Sequence, residues 1–431
     1  MEIVNFLNSC RGSPFNVCAG VSSVLQSHGF VQLSESAPWS LQRGGKYFYI
    51  KDLTTVCAFA VGGNYEVGNG FSIVGSHTDS PSLKLKPNPF DKSNELDLVR
   101  CELYGGGNWP SWFDRDLGVC GRVITQDGET LKNAIVKIEE PIYRICTCAP
   151  HLDKRYGKGF VIDKETELPA IGLSEQDLME KLSTQVNGTI VGMDLYLYDI
   201  DPISLSGVSK EFITGQGLDN TTSVYADLFG LLEATSEESL KALPNVLMAI
   251  FFDNEEVGST NRRGANSAMT EKVVRRICSC FDMSPDFEQK VMVGESKTFV
   301  LSNDVNHASH PNYIETSEKR HLVYMNSGIV FETNANQKLL CDSIDFKIVS
   351  EIAKISDVKL QKLVAKQGLL GGSTIAPKMA SSTGFHVIDC GVPLLAMHSI
   401  REIGGVFDIL GLTNLVRDAL LHLHEHQALL I

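Results

Sequence analysis

The sequence predicts an α/β fold, a central sheet covered by helices and interrupted by an inserted β-rich segment. Three observations carry this expectation. Val246–Phe252 is an unbroken apolar run of strand length, apolar at both parities, which is how a strand buried on both faces reads. It stops in Asp253, Glu255 and Glu256 before a Gly-Ser turn, and open α/β sheets gather their chemistry beyond the carboxyl ends of their strands. From about Leu85 to Lys210 the texture changes to short β-rich runs between turn residues, so residues 1–86 and 211–431 are assigned to the α/β part and 87–210 to the insert.

Along the chain, residues 1–30 read as an amphipathic helix, a turn at Gly12-Ser13-Pro14 and a second helix ending near Gly29. Lys46–Lys51, Thr54–Val61 and Gly70–Gly75 are strand-like, and the last leads into His77-Thr78-Asp79. Within the insert, Asp97–Tyr104, Gly121–Thr125, Ala134–Val136 and Ile190–Tyr198 read as strands, and Glu175–Gln185 as a helix capped by Ser174. Gly105-Gly106-Gly107 lacks the strand–loop–helix context of a phosphate loop and reads as a tight turn. After Glu211–Thr214, a helix is expected from Thr221 with Asn220 as its cap; Val224, Leu228, Leu231 and Leu232 share its apolar face. A helix around Val273–Ile277, a strand at Lys297–Asn303 ending in Asp304, a strand-like Phe385–Asp389 before His398, and a closing helix over Phe407–Leu430 complete the pattern.

Totals exclude several function classes. A chain of 431 residues is long for one core. Its formal charge of −14, from 38 basic and 52 acidic residues, disfavours nucleic acid and anionic membrane surfaces as partners. Neither a secretory leader nor a membrane-length apolar segment is legible. The 11 cysteines, an odd number at scattered spacings, read as reduced thiols, and a cytoplasmic location is expected.

Strand ends or the segments just after strands carry His77, Asp219, Glu255/Glu256, Asp304 and His398. Parallel strands would bring these ends to one crevice, where two imidazoles and several carboxylates form a zinc-type donor set. Charge balance favours two divalent ions, most simply Zn2+. Asp219, Glu256 and Asp304 with one hydroxide would neutralise them, whereas a single ion would leave the site over-anionic. Each residue alone has a structural explanation; only their joint placement argues for a site. The C-terminal His422, His424 and His426, although His422 and His426 lie i, i+4, read instead as last-turn histidines at a negative helix end.

Six ordered segments, His77–Pro81 (HTDSP), Gly215–Asn220 (GQGLDN), Asp253–Ser259 (DNEEVGS), His307–Tyr313 (HASHPNY), Gly372–Pro377 (GSTIAP) and Ala396–Glu402 (AMHSIRE), resemble the motifs of the M18 metallo-aminopeptidases. Tyr104–Gly107 (YGGG) and Trp112–Leu117 (WFDRDL) resemble that family's inserted domain. The resemblance implies a zinc-exopeptidase-type central mixed sheet flanked by helices, with a β-rich dimerisation insert. It implies peptide substrates and a homo-oligomer, a tetrahedral dodecamer built from dimers. Asp219 would bridge two zinc ions, with His77, Glu256, Asp304 and His398 completing the ligand set. Glu255 would be the general base, Asp79 would orient His77, and His310 would line the substrate pocket. His151 would be offered to a neighbouring subunit's site.

Departures from the family pattern are local. Arg262-Arg263 follow the glutamate pair, and Gly371 stands where the family shows a cysteine. The family also carries a lysine in a strand after the HPNY motif, placed to meet an acidic substrate side chain. The matching Gly328–Glu332 (GIVFE) puts Glu332 there, so neutral or basic first residues are expected to be cleaved at least as well as acidic ones. From the donor set alone, a dinuclear deacylase or carboxypeptidase and a non-catalytic metal-stabilised scaffold remain as rivals. A scaffold would need ligands but no base, which Glu255 argues against.

Overall fold

The computed structural model describes residues 2–153, 155, 159, 161–369 and 371–429. Its strands, in chain order, begin with β1 (Val31–Leu33), β2 (Lys46–Lys51), β3 (Thr55–Val61) and β4 (Phe71–His77). Six follow in the insert: β5 (Ser82–Ser93), β6 (Leu96–Tyr104), β7 (Asp116–Asp127), β8 (Thr130–Arg144), β9 (Ala170–Gly172) and β10 (Thr189–Asp199). The remainder are β11 (Ser204–Ser206), β12 (Phe212–Gly215), β13 (Val246–Phe252), β14 (Phe299–Asn303), β15 (Asn306–His307), β16 (Ile329–Thr333), β17 (Leu360–Val364), β18 (His386–Cys390), β19 (Pro393–Leu395) and β20 (Glu402–Gly405).

The central sheet has seven strands in the order β1-β2-β3-β13-β4-β14-β18. It is mixed: β3 runs antiparallel to β2 and β13, while β13, β4, β14 and β18 run parallel. In that parallel group Phe252 pairs with His77 and Asn303 with Cys390, so the carboxyl ends of four strands form one rim. The apolar run of β13 divides between two layers. Leu247, Ala249 and Phe251 pack in one core with helices Leu218–Ala234 and Val406–His422. Val246, Met248, Ile250 and Phe252 pack in the other with helix Met269–Ser279. All seven are fully buried, each large side chain contributing about 1.5–3 kcal/mol of transfer free energy.

The insert's strands close into a barrel in the order β10-β5-β6-β9-β8-β7 around its own core, which includes Leu83, Val99, Trp112, Val119 and Leu195. Strand β5 starts at Ser82, ahead of the expected boundary at 87, and β10 ends at Asp199, short of 210. Only Thr78–Pro81 separate the strand that ends in His77 from the barrel. A second five-stranded sheet, β11-β12-β20-β19-β15, lies beside the rim.

Three local expectations change. The helix assigned from Leu218 is kinked at Asp219 and Asn220, whose φ/ψ are non-helical, so its regular part opens at Thr221 as expected. Asn220 Oδ1, however, makes no capping hydrogen bond, and the side chain donates to the Asn303 carbonyl at 2.9 Å. Ala134–Val136 is the middle of a 15-residue strand. The closing helix ends at His422 and tightens into a 3-10 turn over Leu423–Leu429, and Leu430 lies outside the described residues. Among the described residues no helix is long and apolar enough to cross a membrane, and all eleven cysteines are free thiols.

Candidate metal centre

At the rim the structure brings together His77, Asp219, Glu255, Glu256, Asp304 and His398. Asp219 lies between two groups. Its Oδ1 is 3.3 Å from His77 Nε2, which is also 3.4 Å from Asp304 Oδ1. Its Oδ2 is 3.2 Å from His398 Nε2, itself 3.5 Å from Glu256 Oε1. Glu255 Oε2 is 4.0 Å from His77 Nε2. Donor atoms of His77, Asp219 and Glu256, and of His77, Glu255 and Asp304, lie within 4.8 Å of one another, close enough to share an ion.

Both histidines are held in the tautomer a ligand needs. His77 Nδ1 faces the Asp79 carbonyl at 2.9 Å, and His398 Nδ1 faces the Gly106 carbonyl at 3.1 Å. A carbonyl only accepts, so each Nδ1 carries a proton and each Nε2 is the nitrogen turned toward the carboxylates, free to offer a lone pair once a cation takes the place of its own proton. Asp79 was expected to orient His77. The closer contact to the ring comes from its carbonyl, with its carboxylate 3.5 Å from the ring. That carboxylate also accepts the backbone N–H of Glu255 at 3.1 Å and of Glu256 at 3.0 Å, so one buried acid sets both glutamates.

The loop after β13 follows from its residues. Asn254 adopts a left-handed conformation, which asparagine tolerates, and turns the chain into a short 3-10 segment over Glu255–Val257 closed by Gly258. Asp253, the third acid of the strand end, points to Arg263 at 3.5 Å and takes no part in the cluster. Arg262 pairs with Asp52 on the surface. His398 also sits at positive φ, +64°, an uncommon conformation that neighbours must fix. Its N–H donates to Glu402 Oε1 at 2.9 Å and its carbonyl accepts Asn108 N–H at 2.8 Å.

Electrostatics accord with cation binding. Burial, together with repulsion from neighbouring carboxylates, pushes Glu255 and Glu256 well above the usual carboxylate range, against the pull of His77. Burial opposes the charge of His398, but the Asp219 carboxylate and the Gly106 carbonyl lift its pKa to about 9. Burial also opposes the Asp219 carboxylate, yet hydrogen bonds from His398 and His77 hold its pKa below the usual range. So many carboxylates in a dry crevice need positive charge to stay ionised together.

Sequence reasoning gave no role to Glu402 or His307. The Glu402 carboxylate accepts the N–H of Asp219 at 3.1 Å through Oε2 and that of His398 through Oε1. It therefore ties the two backbones that carry the central carboxylate and the second histidine. Its place at the end of the Ala396–Glu402 segment was the available signal. His307, three residues after Asp304, lies within electrostatic reach of Asp219 and His398.

Three expected residues are not brought into the cluster. His151 lies on an exposed turn after β8. His310 is half-buried; its Nδ1 accepts the Asn312 N–H, and its ring meets Tyr313 edge-on. Glu332 is buried on β16, where burial raises its carboxyl pKa, and among the described residues its carboxylate makes no hydrogen bond or ion pair, while its backbone pairs with β17.

A family model described as aminopeptidase I zinc metalloprotease (M18) matches residues 6–418. The chain belongs to the M18 family. An aspartyl aminopeptidase of Caenorhabditis elegans is 36% identical to this M18 chain over 444 residues, covering 96% of this chain and 93% of that protein. A cryo-EM structure of an Ape4 and Nbr1 complex contains a chain 31% identical, with a TM-score of 0.95, covering 100% of this chain and 86% of that one. The mApe1 dodecamer of S. cerevisiae is 27% identical, with a TM-score of 0.87 over 99% of this chain and 97% of its own. This M18 chain is a metallo-aminopeptidase, and its fold is that of the family.

Proposed function

We propose that the crevice holds two zinc ions bridged by Asp219, and that the enzyme removes first residues from peptides with Glu255 as general base. The observation that carries this reading is the division of Asp219. One oxygen faces His77, close to Asp304, and the other faces His398, close to Glu256, over separations of 3.2–3.5 Å. Donors about 2.0–2.1 Å from a tetrahedral zinc lie roughly 3.3 Å from one another, so both groups fit a shared-carboxylate pair.

Bound zinc would supply Lewis acidity and bring the pKa of a water ligand down to about 7. The chain's residues do the rest. Asp79 fixes the Glu255–Glu256 backbone, and Glu255 takes the water's proton and returns it to the leaving amine. The acidic crevice suits a free α-amine, which an acyl group would block. His310, in the loop that follows His307 on β15, would line the substrate pocket. Residues 87–210, centred on the barrel, form the dimerisation unit of a homo-oligomer, a tetrahedral dodecamer, and His151 on its exposed turn reaches a neighbour's crevice. Free thiols suit a reducing compartment, the cytoplasm.

Glu332 favours neutral or basic first residues, because an acidic side chain beside a buried, unpaired carboxylate is penalised. The names of relatives such as the C. elegans aspartyl aminopeptidase support the other reading, acid preference. Rates on Asp-, Glu-, Leu- and Lys-anilides, with N-acetylated controls, test both levels. Hydrolysis of free anilides only is expected, with Leu and Lys at least equal to Asp. Hydrolysis of the acetylated compounds would overturn the aminopeptidase reading, and a strong Asp preference would overturn the role of Glu332.

A further inference from the structure

The barrel does more at the crevice than frame it. The turn that leaves β6, Tyr104–Asn108, is wedged between the glutamate pair and His398. Tyr104 is half-buried. Its hydroxyl donates to Asp79 Oδ2 at 2.8 Å and accepts from Asn254 Nδ2 at 2.8 Å. Asp79 in turn receives the N–H groups of Glu255 and Glu256. The hydroxyl thus bridges the carboxylate that sets the glutamates and the residue that turns the chain into them.

The glycines serve a close approach. Gly105 sits at φ +75°, and a Cβ added there would lie 3.2 Å from Glu256 Cβ. Gly106 sends its carbonyl to His398 Nδ1, which fixes the ring. Asn108 donates its N–H to the His398 carbonyl at 2.8 Å and its side-chain amide to Ser399 Oγ at 3.1 Å. Ser111 Oγ then accepts the Ile400 N–H at 2.9 Å. Four residues of this five-residue turn, Tyr104, Gly105, Gly106 and Asn108, therefore reach both sides of the cluster, and all of these contacts lie within one subunit.

We propose that the Tyr104–Asn108 turn sets the geometry of the metal centre in its own subunit. Tyr104 is a positioning residue for the Glu255–Glu256 pair, and the Gly106 carbonyl orients His398. The barrel is then part of the catalytic unit and not only a surface for assembly. This inference rests on the metal-centre reading above.

The test uses the full chain in its assembled state, loaded with Co2+ as a spectroscopic stand-in for zinc. Tyr104→Phe keeps the ring and removes the hydroxyl; Gly105→Ala adds the Cβ against Glu256. Tyr104→Phe is expected to leave KM within about twofold, lower kcat about 10- to 100-fold and alter the visible cobalt spectrum. Gly105→Ala is expected to weaken metal retention about 10- to 100-fold and alter the same spectrum, and it carries the test should the tyrosine variant fail to assemble. An unchanged kcat and spectrum in Tyr104→Phe, or a loss confined to thermal stability, would overturn the inference. A zinc-loaded wild type that cleaves no aminoacyl anilide, with both variants still shifting the spectrum, would instead overturn the aminopeptidase reading and leave this one standing.

Discussion

Two regions of this molecule concentrate histidines and carboxylates, the strand-end crevice and the C-terminal His422–His426 segment, and among the described residues only the crevice brings such donor atoms close enough together to share an ion. In the crevice His77 is 1% exposed, both imidazoles have Nδ1 committed to backbone carbonyls, and His398, 33% exposed on the turn between β19 and β20, has its backbone held by Glu402 and Asn108. In the C-terminal segment His422 Nδ1 is spent on Glu425 at 3.0 Å, with the pair 31% and 54% exposed. The helix has also tightened by His426 into a 3-10 turn. There each residue advances about 120°, so residues four apart no longer share a face. Residue type alone does not make a site. Fixed tautomers and buried scaffolding do.

The largest expected effect inside the crevice comes from Glu255→Gln, which keeps size and loses the base. Turnover of an aminoacyl anilide should fall roughly 100- to 10,000-fold with metal content unchanged; near-normal kcat would remove Glu255 from the mechanism. Next comes Glu402→Gln. The amide can accept from only one of the two N–H groups that the carboxylate satisfies, leaving the other buried and unpaired. Loss of about 10- to 100-fold in metal affinity or kcat is expected, along with about 1–3 kcal/mol of stability. A variant indistinguishable from wild type in denaturant unfolding and zinc titration would show that the backbone clamp does not matter. The smallest effect belongs to the other region. His422→Asn should change zinc content and kcat by less than about twofold, as surface substitutions generally do; a lost ion would mean the C-terminal segment does bind metal.

Much of this contrast was legible in the sequence. Strands β4, β13 and β14 are strongly apolar and each runs into a ligand-type residue, so position and chemistry coincide in the order of residues. What stayed hidden works through backbone groups and tertiary contact. Glu402 acts on the N–H groups of Asp219 and His398, residues 183 and 4 positions away. Tyr104 reaches Asp79 from a strand of the barrel. Neither contact leaves a periodic or compositional trace. The glycines at 105–107 announced a tight turn, but not that its backbone lies against the glutamates. Asn220 had the composition of a helix cap, and the buried Asn303 carbonyl claimed its side chain instead. The histidines at 422–426 looked like a stacked pair only on the assumption that an α-helix continued past His422.

The central claim is that the two oxygens of Asp219 join two ions in one centre. Elemental analysis of the purified, dialysed protein beside its Asp219→Ala variant tests it most directly, with circular dichroism to establish that the variant is folded. Two zinc equivalents per chain are expected in the wild type and fewer than one in the variant. Two equivalents retained in folded Asp219→Ala, or a single equivalent in the wild type after zinc loading, would contradict it.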